Sequence, residues 1–88
     1  MIHKTAIVDK KAKISDNVEI GPYCIIGPEV EIGSNSVLHS HVNIVGNTKI
    51  GNNVQIGGGS GVVKNIPDNS KVMGYPAKDI RKFLKENK

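Results

Sequence analysis

The chain has 88 residues and a mass of 9.4 kDa, which predicts a single domain and excludes an enzyme with a separate cofactor domain. Its apolar residues are almost all Ile and Val, with two tyrosines, one phenylalanine and no tryptophan, so the composition favours strands over helices. The net charge is +4, and this excess lies in residues 64–88, because acidic and basic side chains balance in residues 1–63.

The sequence also bears on location and partners. No apolar run approaches the ~18 residues of a membrane span, and the N-terminus lacks the apolar segment of a signal peptide. The single cysteine, Cys24, cannot form an internal disulfide, so we expect a protein of the reducing cytoplasm. The basic C-terminal residues are suited to contact an acidic protein or an anionic lipid surface. The alternative is that they only face solvent. No aromatic residues interleave with them, which argues against nucleic acid.

A six-residue repeat organises residues 1–66. Every sixth residue from Ile2 to Val62 is aliphatic, and the residue two positions earlier is small or β-branched. Glycine often follows the aliphatic position, and asparagine or glycine often stands three places after it. Two inward side chains spaced by two form a short strand, while Gly and Asn tolerate the positive φ of a turn. One repeat is therefore one strand and one corner, and such hexapeptide repeats predict a parallel β-helix.

The repeat ends after residue 66, and the remaining residues predict a loop followed by a helix. The loop covers residues 67–76 and includes a candidate last strand at Val72 and Met73. Pro76 stands near the first position of a helix predicted over residues 77–87, whose apolar residues lie on one face. A helix of this length is marginal alone, so we expect it to dock on the end of the β-helix or on another subunit.

The repeat resembles that of the hexapeptide-repeat acyltransferases, whose left-handed β-helix has three hexapeptides per coil. We therefore expect an all-β fold, a left-handed parallel β-helix of about three to four coils with a short C-terminal α-helix, in which the resemblance implies the left-handedness. Segments in the first half resemble the UDP-N-acetylglucosamine O-acyltransferases of lipid A synthesis: residues 2–8, 18–28 and 37–42. Later segments resemble the C-terminal end of the lipid A N-acyltransferases: residues 58–67, 74–77 and 80–84. The Gly-x-Pro-Ala-Lys motif at 74–78 is also similar to acetyl-CoA-dependent sugar acetyltransferases.

Coils of 18 residues place residues 18 apart above one another. The outward position before each aliphatic residue then forms three columns, and only one of them begins with two aliphatic residues, Ile7 and Ile25. We predict that these two side chains pack against a neighbouring subunit, and the resemblance implies a homotrimer. The alternative is that both are isolated surface aliphatics, which are common in soluble proteins.

The resemblance implies acyl transfer from acyl carrier protein or CoA to a UDP-amino sugar, without a bound cofactor or metal. In these acyltransferases the general base is a histidine two residues after an aliphatic position of the repeat. This sequence has no histidine at that position in any repeat. His41 and His39 are the candidates that remain, and the columns place His41 above Tyr23. A zinc site at these two histidines would lack a third ligand. Cys24 falls at an inward position, so we expect it in the core.

The same resemblance assigns the acyl-donor cleft to the glycine-rich late coils and the loop after them, here Gly59, Gly61 and Tyr75. The basic tail would suit an acidic carrier protein that docks at Arg81 and Lys82. The chain resembles the start of one enzyme joined to the end of another, without the catalytic middle. The alternatives are therefore a non-catalytic trimeric β-helix scaffold and an acetyl-CoA-dependent sugar acetyltransferase.

Overall fold

The computed structural model describes residues 1–79. Within this range the chain forms twelve strands, nearly all of two residues, because each six-residue repeat leaves only two residues between corners. The strands are β1 (Ile7–Val8), β2 (Lys13–Ile14), β3 (Glu19–Ile20), β4 (Ile25–Ile26), β5 (Glu31–Ile32), β6 (Val37–Leu38), β7 (Asn43–Ile44), β8 (Lys49–Ile50), β9 (Gln55–Ile56), β10 (Gly61–Val62), β11 (Lys71–Met73) and β12 (Lys78–Asp79).

Successive strands lie on three faces of a parallel β-helix. Face 1 contains β1, β4, β7 and β10, face 2 contains β2, β5 and β8, and face 3 contains β3, β6, β9, β11 and β12. All pairs among β1 to β11 are parallel, and those among β1 to β10 join residues 18 apart, as in Ile7, Ile25 and Asn43. The predicted all-β class, the parallel β-helix and the three columns are confirmed.

The interior is a narrow column of aliphatic and small side chains. From the second coil onward, the aliphatic position of each repeat and the position two residues earlier are buried. The buried apolar residues are Val18, Ile20, Cys24, Ile26, Val30, Ile32, Leu38, Val42, Ile44, Ile50, Val54, Ile56, Val62, Ile66 and Val72. Cys24 is fully buried, and its Sγ donates a hydrogen bond to the carbonyl oxygen of His39 at 2.9 Å. Its predicted place in the core is confirmed.

Eight non-glycine corner residues have φ between 57° and 66°. Five are asparagines, which fits the predicted turn role because Asn adopts this conformation more readily than most residues. The other three are Tyr23, Glu29 and His41. Tyr23 and His41 occupy the same corner of successive coils, so an aromatic ring twice replaces the usual turn residue there.

The last coil is shorter than the others. Ile66 pairs with Ile50, and Lys71 pairs with Gln55, so these partners are 16 residues apart instead of 18. Val62 still pairs with Ile44, 18 residues earlier, so the chain is two residues shorter between Val62 and Ile66 than the repeat predicts. The last strand predicted at Val72 and Met73 is confirmed as part of β11.

The prediction of a helix beginning at residue 77 is wrong for its first residues. Lys78 and Asp79 form β12, which pairs antiparallel with β11 and extends face 3. The N–H of Ala77 also donates to the carbonyl oxygen of Gly61 at 2.7 Å. Pairing at this sheet edge satisfies main-chain groups that a marginal helix would leave exposed. The rest of the predicted helix lies outside the described residues, as do Arg81 and Lys82.

The part of the chain that the structure describes contains no helix long and apolar enough to cross a membrane.

Corner glycines are required where a side chain of the next coil lies against them. Oδ1 of Asn52 accepts a hydrogen bond from the N–H of Ser34 at 2.8 Å and occupies the space beside Gly33 where a Cβ would lie. A Cβ on Gly33 would also be 2.6 Å from the carbonyl carbon of Gly51. Oδ1 of Asp68 repeats this arrangement one coil later, beside Gly51. These contacts link successive coils through side chains as well as through the main chain.

We predict that Gly33→Ala lowers the free energy of unfolding by about 1–3 kcal/mol, because the added methyl group must displace main-chain atoms or Asn52. Chemical denaturation followed by circular dichroism measures the change. Gly58→Ala is the matched control, since a Cβ there would have its nearest contact at 3.4 Å. Equal stability of the two variants would show that the close contact at Gly33 is unimportant.

Candidate functional site

The corner between face 3 and face 1 carries all three histidines of the chain. We call it the histidine corner, and its successive coils contribute residues 3–5, 21–23, 39–41 and 57–59. Besides the histidines it holds one basic side chain, that of Lys4, and no acidic one. Its last coil is Gly57, Gly58 and Gly59, so the histidine-bearing coils adjoin main chain without side chains.

Side chains of this corner contact one another from coil to coil. Nδ1 of His3 lies 2.9 Å from Oγ1 of Thr5, and the N–H of Tyr23 donates to that same oxygen at 2.9 Å. The rings of Tyr23 and His41 then lie with their centroids 5.2 Å apart and their planes inclined by 35°. The predicted stacking of His41 above Tyr23 is confirmed. The role of Thr5 was not predicted, because a single hydroxyl gives no periodic signal.

His39 has a different environment from His41. A cleft of about 240 Å³ lies at the histidine corner, and both His3 and His39 line it together with Gly21. Gly21 separates the two histidines in their column, and a Cβ there would lie 3.0 Å from the carbonyl carbon of His39. The two candidate bases therefore occupy separate places, His39 at this cleft and His41 in the ring stack.

The three residues predicted for the acyl-donor cleft lie close together on the fourth coil. Gly59 follows His41 in its column, and a Cβ there would meet no atom of the described residues within 4 Å. Gly61 is buried because the ring of Tyr75 occupies the place of its Cβ, while Tyr75 itself is 77% exposed. The N–H of Gly61 also donates to the carbonyl oxygen of Gly74 at 2.9 Å. The sequence did not reveal this contact, because the repeat has ended before residue 75.

Face 1 borders the histidine corner and has no charged side chain pointing outward. Its outward positions are Ile7, Ile25, Asn43 and Gly61, and the two isoleucines are 64% and 48% exposed. Val45 and Val63 follow β7 and β10 and are also exposed. The other two faces present charges at these positions: Lys13, Glu31 and Lys49 on face 2, and Glu19 and Lys71 on face 3. An uncharged, partly apolar surface thus adjoins the candidate site.

Residues 1–79 hold no group of three or more His, Cys, Asp and Glu side chains placed to bind a metal ion. The chemistry that the histidine corner itself offers is proton transfer by exposed imidazoles, contact with ring faces and close approach to glycine main chain.

Comparison with known sequences agrees with the repeat. The sequence profile of the bacterial transferase hexapeptide family (six repeats) matches residues 1–33 and 29–64. The acyl-[acyl-carrier-protein]–UDP-N-acetylglucosamine O-acyltransferase of Rickettsia typhi is 64% identical over 28 residues. This alignment covers 32% of the present chain and 11% of the Rickettsia protein.

Two solved structures show the same fold. The UDP-N-acetylglucosamine acyltransferase of Francisella novicida matches with a TM-score of 0.75 and 31% identity, over 93% of this chain and 36% of that one. A galactoside acetyltransferase in complex with coenzyme A matches with a TM-score of 0.76 and 33% identity, over 86% of this chain and 47% of that one. The present chain thus spans less than half the length of either protein.

Proposed function

Because the chain belongs to the bacterial transferase hexapeptide family, we propose that it moves an acyl group from a CoA or acyl-carrier-protein thioester to a UDP-amino sugar. The observation that carries this proposal is the position of His41. Its exposed imidazole lies one coil from the open main chain at Gly59 and beside the uncharged face 1. A base and an uncrowded binding surface therefore adjoin each other.

The reaction requires a base at the hydroxyl or amino group of the acceptor. An imidazole takes the acceptor proton as the acceptor attacks the thioester carbonyl, the carbon–sulfur bond breaks, and the proton passes to the leaving thiolate. We assign this role first to His41, because it lies nearer than His39 along the corner to Gly59. His39, at the neighbouring cleft, is the second candidate.

We place the acyl donor along Gly59, Gly61 and Tyr75. At Gly59 the absence of a side chain lets the donor approach the main chain closely. The coenzyme A complex of the galactoside acetyltransferase supports a CoA thioester as the donor. The name of the Rickettsia relative supports acyl carrier protein and UDP-N-acetylglucosamine. With these substrates we propose a place in lipid A synthesis, as the resemblance of the repeats implies. We also place the protein in the cytoplasm, since the free thiol of Cys24 suits a reducing compartment.

A second candidate function is a non-catalytic trimeric scaffold. The resemblance assigns the base to the position two residues after an aliphatic residue. At the histidine corner this position holds Lys4, Pro22, Ser40 and Gly58. None of these is a histidine, so the β-helix could have kept its shape while losing the reaction.

We predict that the folded chain forms an acylated UDP-amino sugar when acetyl-CoA or 3-hydroxyacyl carrier protein is the donor, with the product detected by mass spectrometry. His41→Asn should lower the rate about 100-fold or more, because a positioned base contributes that much. Asn suits the positive φ of this position, and His3→Asn is the matched control. Loss of activity in His39→Asn but not in His41→Asn would identify His39, at the cleft, as the general base. No product with any donor and acceptor would favour the scaffold.

We further propose that face 1 packs against neighbouring copies of the chain to form a trimer. Ile7 and Ile25 are adjacent on this face and strongly exposed, and Val45 and Val63 extend the apolar surface. A core this narrow buries little apolar area for its length, so burial between subunits would add stability. The histidine corner would then lie at the edge of each interface.

We expect Ile25→Asp to shift the mass measured by sedimentation from a trimer towards a 9.4 kDa monomer and to lower the melting temperature, because it buries a charge in the interface. Gln55→Asp is the matched control, since it adds the same charge at the equivalent outward position on face 3. If Ile25→Asp leaves both measurements unchanged, the subunit contact lies elsewhere.

The basic C-terminal residues suit an acidic carrier protein, and we propose docking at Arg81 and Lys82. Reversing both charges to Glu should weaken binding of acyl carrier protein several-fold at low salt, with a smaller effect at high salt. Calorimetric titration measures this affinity. Lys10→Glu with Lys11→Glu is the control, since it makes the same charge change at a corner of the β-helix. Equal weakening by both pairs would show that only the net charge matters.

A further inference from the structure

Tyr23 and His41 form a two-ring stack on the surface of the histidine corner. Their centroids are 5.2 Å apart, and hydrogen-bonded strands are spaced by about 4.8 Å. Each coil therefore contributes one ring to the stack. Both side chains are exposed, and both residues have a φ of 60°. Bulky residues seldom adopt this conformation, and the equivalent place in other corners is mostly held by asparagine. The two rings are therefore unusual for residues that only form a turn.

The stack ends at Gly59. This residue is the next in the same column, and its N–H donates to the carbonyl oxygen of Ser40 at 3.0 Å, just as the N–H of His41 donates to Pro22 at 2.9 Å. Among residues 1–79, a Cβ on Gly59 would find no atom within 4 Å. On the side of His41 away from Tyr23, the corner thus presents glycine main chain and no third ring.

We propose that the base of a nucleotide stacks on His41 above Gly59, as the third ring of the column. Every nucleobase has a flat π-face, and stacking on an aromatic side chain does not depend on the identity of the base. The histidine corner and the outward strand positions of face 1 carry no carboxylate that would repel the attached phosphates. The base could belong to the adenosine part of CoA or to the uridine part of the acceptor. The inference rests on the proposed function, which supplies both nucleotides.

Binding is measured on the whole chain by ligand-observed NMR, with ADP, UDP and inorganic pyrophosphate as probes. Wild-type protein should bind ADP or UDP more tightly than pyrophosphate, which lacks a base. His41→Asn removes the ring and should weaken nucleotide binding about fivefold or more. His41→Phe keeps a flat aromatic ring but removes the proton-accepting nitrogen, and it should retain nucleotide binding. A proton-transfer role alone does not predict this result. Tyr23 shows that an aromatic side chain fits this column at positive φ.

Gly59→Tyr is a second variant. Its tyrosine ring should fill the place of the nucleobase above His41 and abolish nucleotide binding. Tighter binding of ADP would assign the base to the donor, and tighter binding of UDP would assign it to the acceptor. The proposal is overturned if pyrophosphate binds as well as the nucleotides, if neither nucleotide binds, or if His41→Asn and Gly59→Tyr both bind like wild type. Nucleotide binding without acyl transfer would contradict the proposed function alone, and acyl transfer without stacking would contradict this inference alone.

Discussion

Main-chain hydrogen bonds between successive coils fix the geometry on which the rest of the structure depends. On face 1 they run from the N–H of Ile7 to Cys24, from Ile25 to Val42 and from Asn43 to Ser60, with lengths of 2.8 to 3.0 Å. Each coil is thereby held at the strand spacing of about 4.8 Å above the last. The inward positions then face a space that admits aliphatic and small side chains, while the corners must accept positive φ.

This constraint leaves chemical variety to the outward and corner positions. Side chains there recur at a fixed spacing, so a residue contacts its counterparts on the coils above and below. The histidine corner uses this spacing to place His41 between the ring of Tyr23 and the open main chain at Gly59. Holding Tyr23 and His41 at positive φ costs about 1–3 kcal/mol each. The stability of the coils offsets that cost, and strain of this kind is concentrated at functional sites.

The sequence predicts the structure well within the repeat and poorly after it ends. The 18-residue columns, the burial of Cys24 and the stack of Tyr23 and His41 all follow from counting along the chain, because each coil copies the last. The count fails where the repeat ends. The shortened coil at Ile66, strand β12 and the ring of Tyr75 over Gly61 depend on the path of one loop, for which no second copy exists in the sequence.

We propose that acyl transfer takes place at the histidine corner, where this corner borders the interface that face 1 forms with neighbouring copies. The most direct test measures specific activity and sedimenting mass together over a dilution series of the wild-type protein. The account predicts that activity per chain falls in step with the conversion of trimer to the 9.4 kDa monomer. Undiminished activity per chain in a folded monomer would contradict it.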